Sequence, residues 1–174
     1  MEHHLYSDLD QHLLVRPATI DDAMQIAQLS TGDIALSEEA LDAAVAIIAE
    51  RLAVASGDDF FTIVAERKDN AAVVGWLAAG GSRGQEHKGW SEIYAQAADA
   101  TTGNTLIDEA LLAVALQALT LAQFAGVTTT IDRDDELRVE LFDDLGFVAD
   151  DQPQGQDRDF GSDHVRYSLS FLES

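Results

Sequence analysis

An α/β fold is what the 174-residue sequence predicts: a mixed, mostly antiparallel sheet of about seven strands, with one long central helix and flanking helices. Three observations predict it. Runs rich in β-branched, aromatic or alternating apolar residues recur at 13–17, 60–68, 72–77, 90–97, 127–131, 147–148 and 164–172. Between the fourth and fifth runs, the stretch 106–125 carries apolar residues on a helical repeat. No internal repeat or linker breaks the chain, whose length suits a single domain of ~100–200 residues.

The elements follow in order. The first strand stops at Pro17, which locks φ and lacks an N–H. Thr19 is then placed to cap a helix, with Asp21 and Asp22 at its positive end and Ile20, Met24, Ala27 and Leu29 as its apolar stripe. A second helix starts at Ser37, Glu38 and Glu39, repeats Leu41, Val45, Ile48 and Leu52, and ends near Gly57. Asp69 and Asn70 separate the strands at 60–68 and 72–77, which is a hairpin signal. A polar, glycine-bearing loop at 82–89 leads to the strand at 90–97.

Gly103 opens the central helix, whose apolar positions include Leu106, Ile107, Leu111, Val114, Leu121 and Phe124; Gly126 is expected at its C′ position. The strand at 127–131 follows. Asp134 and Asp135 begin a last helix that Gly146 stops, and Phe147 restarts a strand. The segment 150–163 reads as a loop or lid before the final strand. Because a helix joins the fourth strand to the fifth, these two are expected to be parallel neighbours that diverge at their C-terminal ends.

Charge is the loudest compositional fact. Asp and Glu number 32 against 10 Lys and Arg, a formal net charge of −22. Such a surface repels phosphate backbones and anionic membranes, so neither a nucleic acid nor a membrane is an expected partner, whereas a cationic substrate is attracted. Salt adaptation, or a generally acidic proteome, explains the same composition. There is no cysteine, which removes disulfides and thiolate chemistry and suits a cytoplasmic setting. The N-terminal stretch lacks the basic-then-apolar pattern of a signal peptide. Asp108, Glu109, Gln117 and Gln123 interrupt the most apolar helix, against a membrane span. No His/Asp/Glu spacing suggests a metal site.

Several stretches resemble the GNAT acyl-CoA N-acyltransferases across almost the whole chain. Leu13, Val15, Arg16, Pro17, Ala18, Thr19, Asp21, Asp22 and Ala23 look like that family's opening strand and helix. Val73-Val74-Gly75-Trp76 is similar to its third strand, Gly103-x-x-Leu106-Ile107 to the tail of its cofactor-loop motif, and Leu141-Phe142-x-x-Leu145-Gly146-Phe147 to its Leu-Tyr-x-x-x-Gly-Phe signature.

The resemblance implies an N-acetyltransferase that moves an acetyl group from acetyl-CoA, a co-substrate used without a metal, to a small-molecule or peptide amine by direct attack. It implies cofactor contacts at Ala95, Ala97, Thr102, Gly103, Asn104, Thr105 and Phe142, and a carboxylate base at Glu92. His87 and His164 are further candidate bases, and surface positions are the plainer reading of both. A solvated strand edge is the plainer reading of Glu92, and Gly103 equally suits a tight strand-to-helix turn.

The sequence departs from the family pattern at two places. Ala98 and Thr101 stand where the loop's Gln/Arg and first glycine belong, with Asp99 beside them. Phe142 replaces the tyrosine that would protonate the leaving thiolate, and reads as core packing; Asp135 and Arg138 replace an asparagine and an alanine upstream. The alternatives are therefore a catalytically weak binding or regulatory protein on the same fold, and a homodimer module using the terminal strands.

One consequence of the charge is directly measurable. Raising sodium chloride shortens the screening length from ~30 Å at 0.01 M to ~3 Å at 1 M. The melting temperature is expected to rise across that range, because self-repulsion opposes the folded state. A flat or falling curve in a salt titration would show the carboxylates to be already dispersed or paired.

Overall fold

A computed structural model describes residues 12–31, 36–54, 60–82, 89–99, 106–150 and 164–172. The strands are β1 (Leu13–Pro17), β2 (Phe60–Arg67), β3 (Val73–Gly81), β4 (Ser91–Ala98), β5 (Gly126–Asp132), β6 (Val148–Ala149) and β7 (His164–Ser170). The helices are α1 (Ala23–Thr31), preceded by a 3-10 turn at Ile20–Asp22, α2 (Glu38–Val54), α3 (Leu106–Leu121) and α4 (Glu136–Asp144). The strands form one seven-stranded sheet in the order β1-β2-β3-β4-β5-β7-β6. Every neighbouring pair is antiparallel except β4 and β5. The expected loops at 83–88 and 151–163 lie outside the described residues.

One core joins a face of the sheet to α3 and α4. Ile107, Leu111, Leu112, Ala115 and Leu119 are the buried residues of α3, and they meet Leu77, Ile93, Val127, Phe142 and Tyr167. Gly75 has a packing reason to be glycine: a Cβ there would lie 2.5 Å from Ile107 Cγ2 and 3.1 Å from Leu111 Cδ1. On the other face Ile26, Val64 and Val73 are buried together, with Ile48, Leu52 and Trp76 packed on them.

The geometry corrects several sequence expectations. The inward stripe of α1 is Ala23, Ile26 and Ala27, while Ile20 and Met24 stand 56% and 41% exposed. The preceding 3-10 turn has a tighter repeat than an α-helix, so it shifts the phase of the face that follows. Val114 and Leu121 point outward from α3.

Gly126 is not a helix C′ residue. It begins β5, and the left-handed conformation near the helix end falls on Gln123 at φ 66°. Gly126 is glycine because a Cβ there would meet the Trp90 ring at 2.5 Å and the Leu169 carbonyl at 2.6 Å. In the β2–β3 turn, Asn70 Oδ1 accepts from the Ala72 N–H, and Ala71 takes the positive φ of 58°.

A charged knot closes the start of the chain. Arg16 on β1 donates through Nη1 and Nη2 to both oxygens of Asp22, each at 2.8 Å, and through Nε to Glu66 on β2 at 2.7 Å. Asp22 also accepts the Thr19 N–H at 2.7 Å, and its own N–H returns a bond to the Thr19 carbonyl. Asp22 is thus more than a helix-end charge: it ties the first turn to the sheet. The Arg16 hydrogen bonds hold its carboxyl below the usual carboxylate range despite burial.

A carboxylate with a depressed folded-state pKa stabilises the fold above its unfolded pKa of 3.8, and that contribution is lost as pH falls through the folded value. Asp22→Asn is therefore expected to cost about 2 kcal/mol at pH 7, since it removes the charged acceptor of Nη1 and Nη2 and leaves the Arg16 guanidinium only Glu66. The difference from the unaltered protein should shrink in denaturant titrations below the unfolded pKa. An equal deficit at every pH would assign the loss to packing instead.

Candidate active site

β4 and β5 are pinned together at one end and part at the other. Their parallel ladder consists of Ser91 opposite Val127 and Glu92 opposite Thr128. The base of the pair is firmly held. Ser91 is fully buried and its Oγ donates to the Gly126 carbonyl at 2.8 Å. The Ala125 N–H reaches the Gly89 carbonyl at 2.9 Å, and the Trp90 ring covers Gly126.

Beyond that base the strands take different partners. β4 continues to Ala98 along β3, while β5 pairs along its whole length with β7. The register against β3 passes from Ala78 opposite Ala95 to Ala79 opposite Ile93, so Tyr94 is an extra residue in β4. A bulge of this kind bends its strand and raises its twist. It lies two residues past the last shared rung. The result is a wedge-shaped crevice between the C-terminal halves of β4 and β5, where open α/β sheets place ligands. Among the described residues the β4–β5 ladder has no rung beyond Glu92 and Thr128, which suits the β5-facing edge of β4 to an amide-bearing ligand. Tyr94 itself is held by its hydroxyl, which donates to the Gly81 carbonyl, and by a tilted contact with Phe60 at 5.8 Å.

Polar side chains from three elements meet at the open end. Gln96 on β4 donates through Nε2 to Asp108 Oδ1 at 2.8 Å. Asp108 lies in the first turn of α3, and the same oxygen stands 3.8 Å from Nη2 of Arg138 on α4. Arg138 Nε is also 3.8 Å from Asp135, the N-cap of α4, which accepts the Arg138 N–H. Burial pushes the Asp108 carboxyl above the usual range, against the pull of Arg138 and Gln96; Asp135 pushes the same way.

In the sequence, Arg138 and Asp135 stand out only as departures from a motif, and Asp108 only as an interruption of a helix. No local pattern joins Asp108 to Arg138, which meet only through packing of the two helices.

The sequence-derived site residues divide. Glu92 occupies the last shared rung, half-buried, where the wedge begins to open. Ala95 and Ala97 lie on β4 beyond the bulge, so the strand beside the crevice carries two methyl-sized side chains. Phe142 is 1% exposed and packs edge-on against Phe147 at 4.8 Å. His164 is an exposed residue at the start of β7, opposite Asp132. Thr102, Gly103, Asn104, Thr105 and His87 lie outside the described residues.

Comparison with solved structures settles the architecture. The ribosomal-protein-S5-alanine acetyltransferase from Vibrio fischeri superposes with a TM-score of 0.71 at 15% identity, covering 91% of this chain and 93% of its own. The fold is that of the GNAT acetyltransferases. The PaiA N-acetyltransferase from Thermoplasma acidophilum, solved in complex with coenzyme A, gives 0.68 at 13% identity over 91% of this chain and 99% of its own. A GNAT-family acetyltransferase from Streptococcus pneumoniae gives 0.64 at 16% identity, with coverages of 90% and 96%. No protein-family model and no curated protein matches the sequence. On this GNAT fold, no described helix is long and apolar enough to cross a membrane. Among the described residues, no group of three or more His, Asp or Glu is arranged to hold a metal.

The raised pKa of Asp108 has a defined sign. A carboxyl raised above its unfolded value costs stability once it is ionised, and that cost disappears as pH falls through the folded pKa. Asp108→Asn retains an acceptor for Gln96 and removes the charge. It is expected to raise the melting temperature at pH 7, with the gain fading toward pH 4. A lowered melting temperature at pH 7 would show that the attraction to Arg138 outweighs desolvation.

Proposed function

We propose that this chain is an acyl-CoA-dependent N-acyltransferase that passes an acetyl group from acetyl-CoA to a primary amine by direct attack. The observation that carries the reading is the wedge between β4 and β5, opened by the bulge at Tyr94 immediately past the Glu92 rung. Its unladdered backbone edge and the small side chains of Ala95 and Ala97 fit a thin, amide-rich arm such as pantetheine. Bound acetyl-CoA supplies an activated acyl thioester. The chain's part is to orient it and to manage protons.

In this reading the N–H groups of Thr102, Gly103, Asn104 and Thr105, ahead of α3, face the pyrophosphate, an arrangement that helix N-termini favour. Glu92 receives the proton of the attacking amine at the base of the wedge, as a general base. Phe142 serves as apolar packing behind the crevice and has no proton to give, so water protonates the departing thiolate. The acidic surface favours a cationic acceptor, a polyamine or a basic peptide amine, by concentrating it near the crevice.

A second reading, a GNAT-fold binding or regulatory protein with weak chemistry, is favoured by two observations. Phe142 stands where an acid would act, and Asp108 and Glu109 set negative charge in the first turn of α3.

Initial rates of thiol release with saturating acetyl-CoA and a panel of polyamines and amino-acid amides separate the two. The enzyme reading expects turnover with at least one cationic amine, lowered ~10²–10⁴-fold by Glu92→Gln, the usual worth of a general base. It also expects Phe142→Tyr to raise turnover. Binding of acetyl-CoA with no thiol release for any amine would establish the regulatory reading.

A further inference from the structure

The charged cluster at the open end of the crevice has no role in the reading above. Its position gives it one. α3 follows β4 and α4 follows β5, and both helices pack on the same face of the sheet, over the strands that border the wedge. The Asp108–Arg138 contact runs from one to the other, and Gln96, four residues past the last shared rung, is bonded to the same Asp108 oxygen. A ligand lying along β4 and emerging between α3 and α4 meets this contact.

The contact is also loose. Both Arg138 ion pairs are 3.8 Å long, beyond hydrogen-bonding distance, so neither Asp108 nor Asp135 takes a short hydrogen bond from the guanidinium. The Arg138 side chain is 28% exposed. Asp108, by contrast, holds its short bond to Gln96. The cluster carries two carboxylates against one guanidinium, so its anionic side is in excess. A phosphate oxygen reaching Arg138 gains a planar, bidentate donor that the carboxylates engage poorly, and it gives up least when Asp108 is neutral.

We propose that the Arg138 guanidinium adds a side-chain contact to the phosphates at the mouth of this crevice, and that Asp108 is a built-in competitor that an entering acyl-CoA must displace from it. The assignment rests on the acyl-CoA reading and names a specificity determinant within that site. The guanidinium of Arg138 passes from Asp108 to the pyrophosphate as the ligand seats, while Gln96 keeps the released carboxylate bonded to β4. No covalent step is involved. Affinity for the phosphate-bearing ligand is then set by the charge on Asp108, and affinity for the phosphate-free arm is not.

Calorimetric titration of the full chain with coenzyme A and with pantetheine, which lacks phosphate, tests this. Asp108→Asn is expected to tighten coenzyme A about two- to fivefold, the range of a partly exposed ion pair. Arg138→Gln should weaken it to a similar degree, Arg138→Lys should restore most of the loss, and pantetheine should respond to none of the three. Thermal melts of each variant confirm folding.

Coenzyme A affinity unchanged by Arg138→Gln would overturn the assignment and leave the acyl-CoA reading standing. Tightening of both ligands by Arg138→Gln would also overturn it, since Arg138 would then be a plug. No coenzyme A binding by either the unaltered protein or Asp108→Asn would overturn the acyl-CoA reading itself, and this assignment with it.

Discussion

The junction of β4 and β5 is the constraint on which the rest of the molecule depends. Two parallel rungs, the buried Ser91 hydroxyl on the Gly126 carbonyl and the Trp90 ring over Gly126 hold the strands together at one end. The extra residue at Tyr94 turns β4 away immediately afterwards. Parallel strands need a crossover, and α3 provides it, so the helix that fills the core also begins at the mouth of the crevice its strands create. Packing and site are therefore one arrangement. Gly75 lets α3 lie close on β3, and that same position brings Asp108 within reach of Gln96.

Charge is distributed with a similar economy. Of the many carboxylates, few are drawn inside, and the two treated most differently are Asp22 and Asp108. Asp22 is surrounded by donors, and Arg16 keeps it ionised. Asp108 has a neutral amide as its near partner and a cation at arm's length, so burial dominates and its carboxyl is pushed up. The first is an internal strut that joins β1, the opening turn and β2. The second is a largely buried carboxyl at the mouth of the wedge, beside a guanidinium that no short hydrogen bond from it or Asp135 holds. The same side chain at two depths and with two partners has acquired opposite electrostatic characters.

Much of this was legible in the residues. Alternation and β-branching located all seven strands, and the helical repeat of 106–125 located α3. A helix between two strands lets them run parallel, and β4 does lie beside β5. The misreadings share one cause. Hydropathy alone sets the stripe of α1 through Ile20 and Met24, and the 3-10 turn shifts its phase so that both are exposed. Gly126 was read as a helix stop because glycine is common there, although an indole ring from 36 residues earlier is what excludes a side chain. In both places a common local preference is overridden by the geometry of the folded chain, a change of helical repeat in the first and a contact across the sheet in the second.

The sequence by itself determined the order and type of the elements, the acidity of the surface, and the absence of thiol chemistry. These depend on short-range periodicity and on composition, which a chain carries wherever it goes. Only the tertiary structure decided that β4 bulges at Tyr94, that the wedge opens past Glu92, and that Gln96, Asp108 and Arg138 converge at its mouth. Register and convergence arise when residues 12 to 42 positions apart are brought within a few ångströms by packing on a shared core. No local pattern encodes that distance, because it is the sum of every strand twist and helix seat between them.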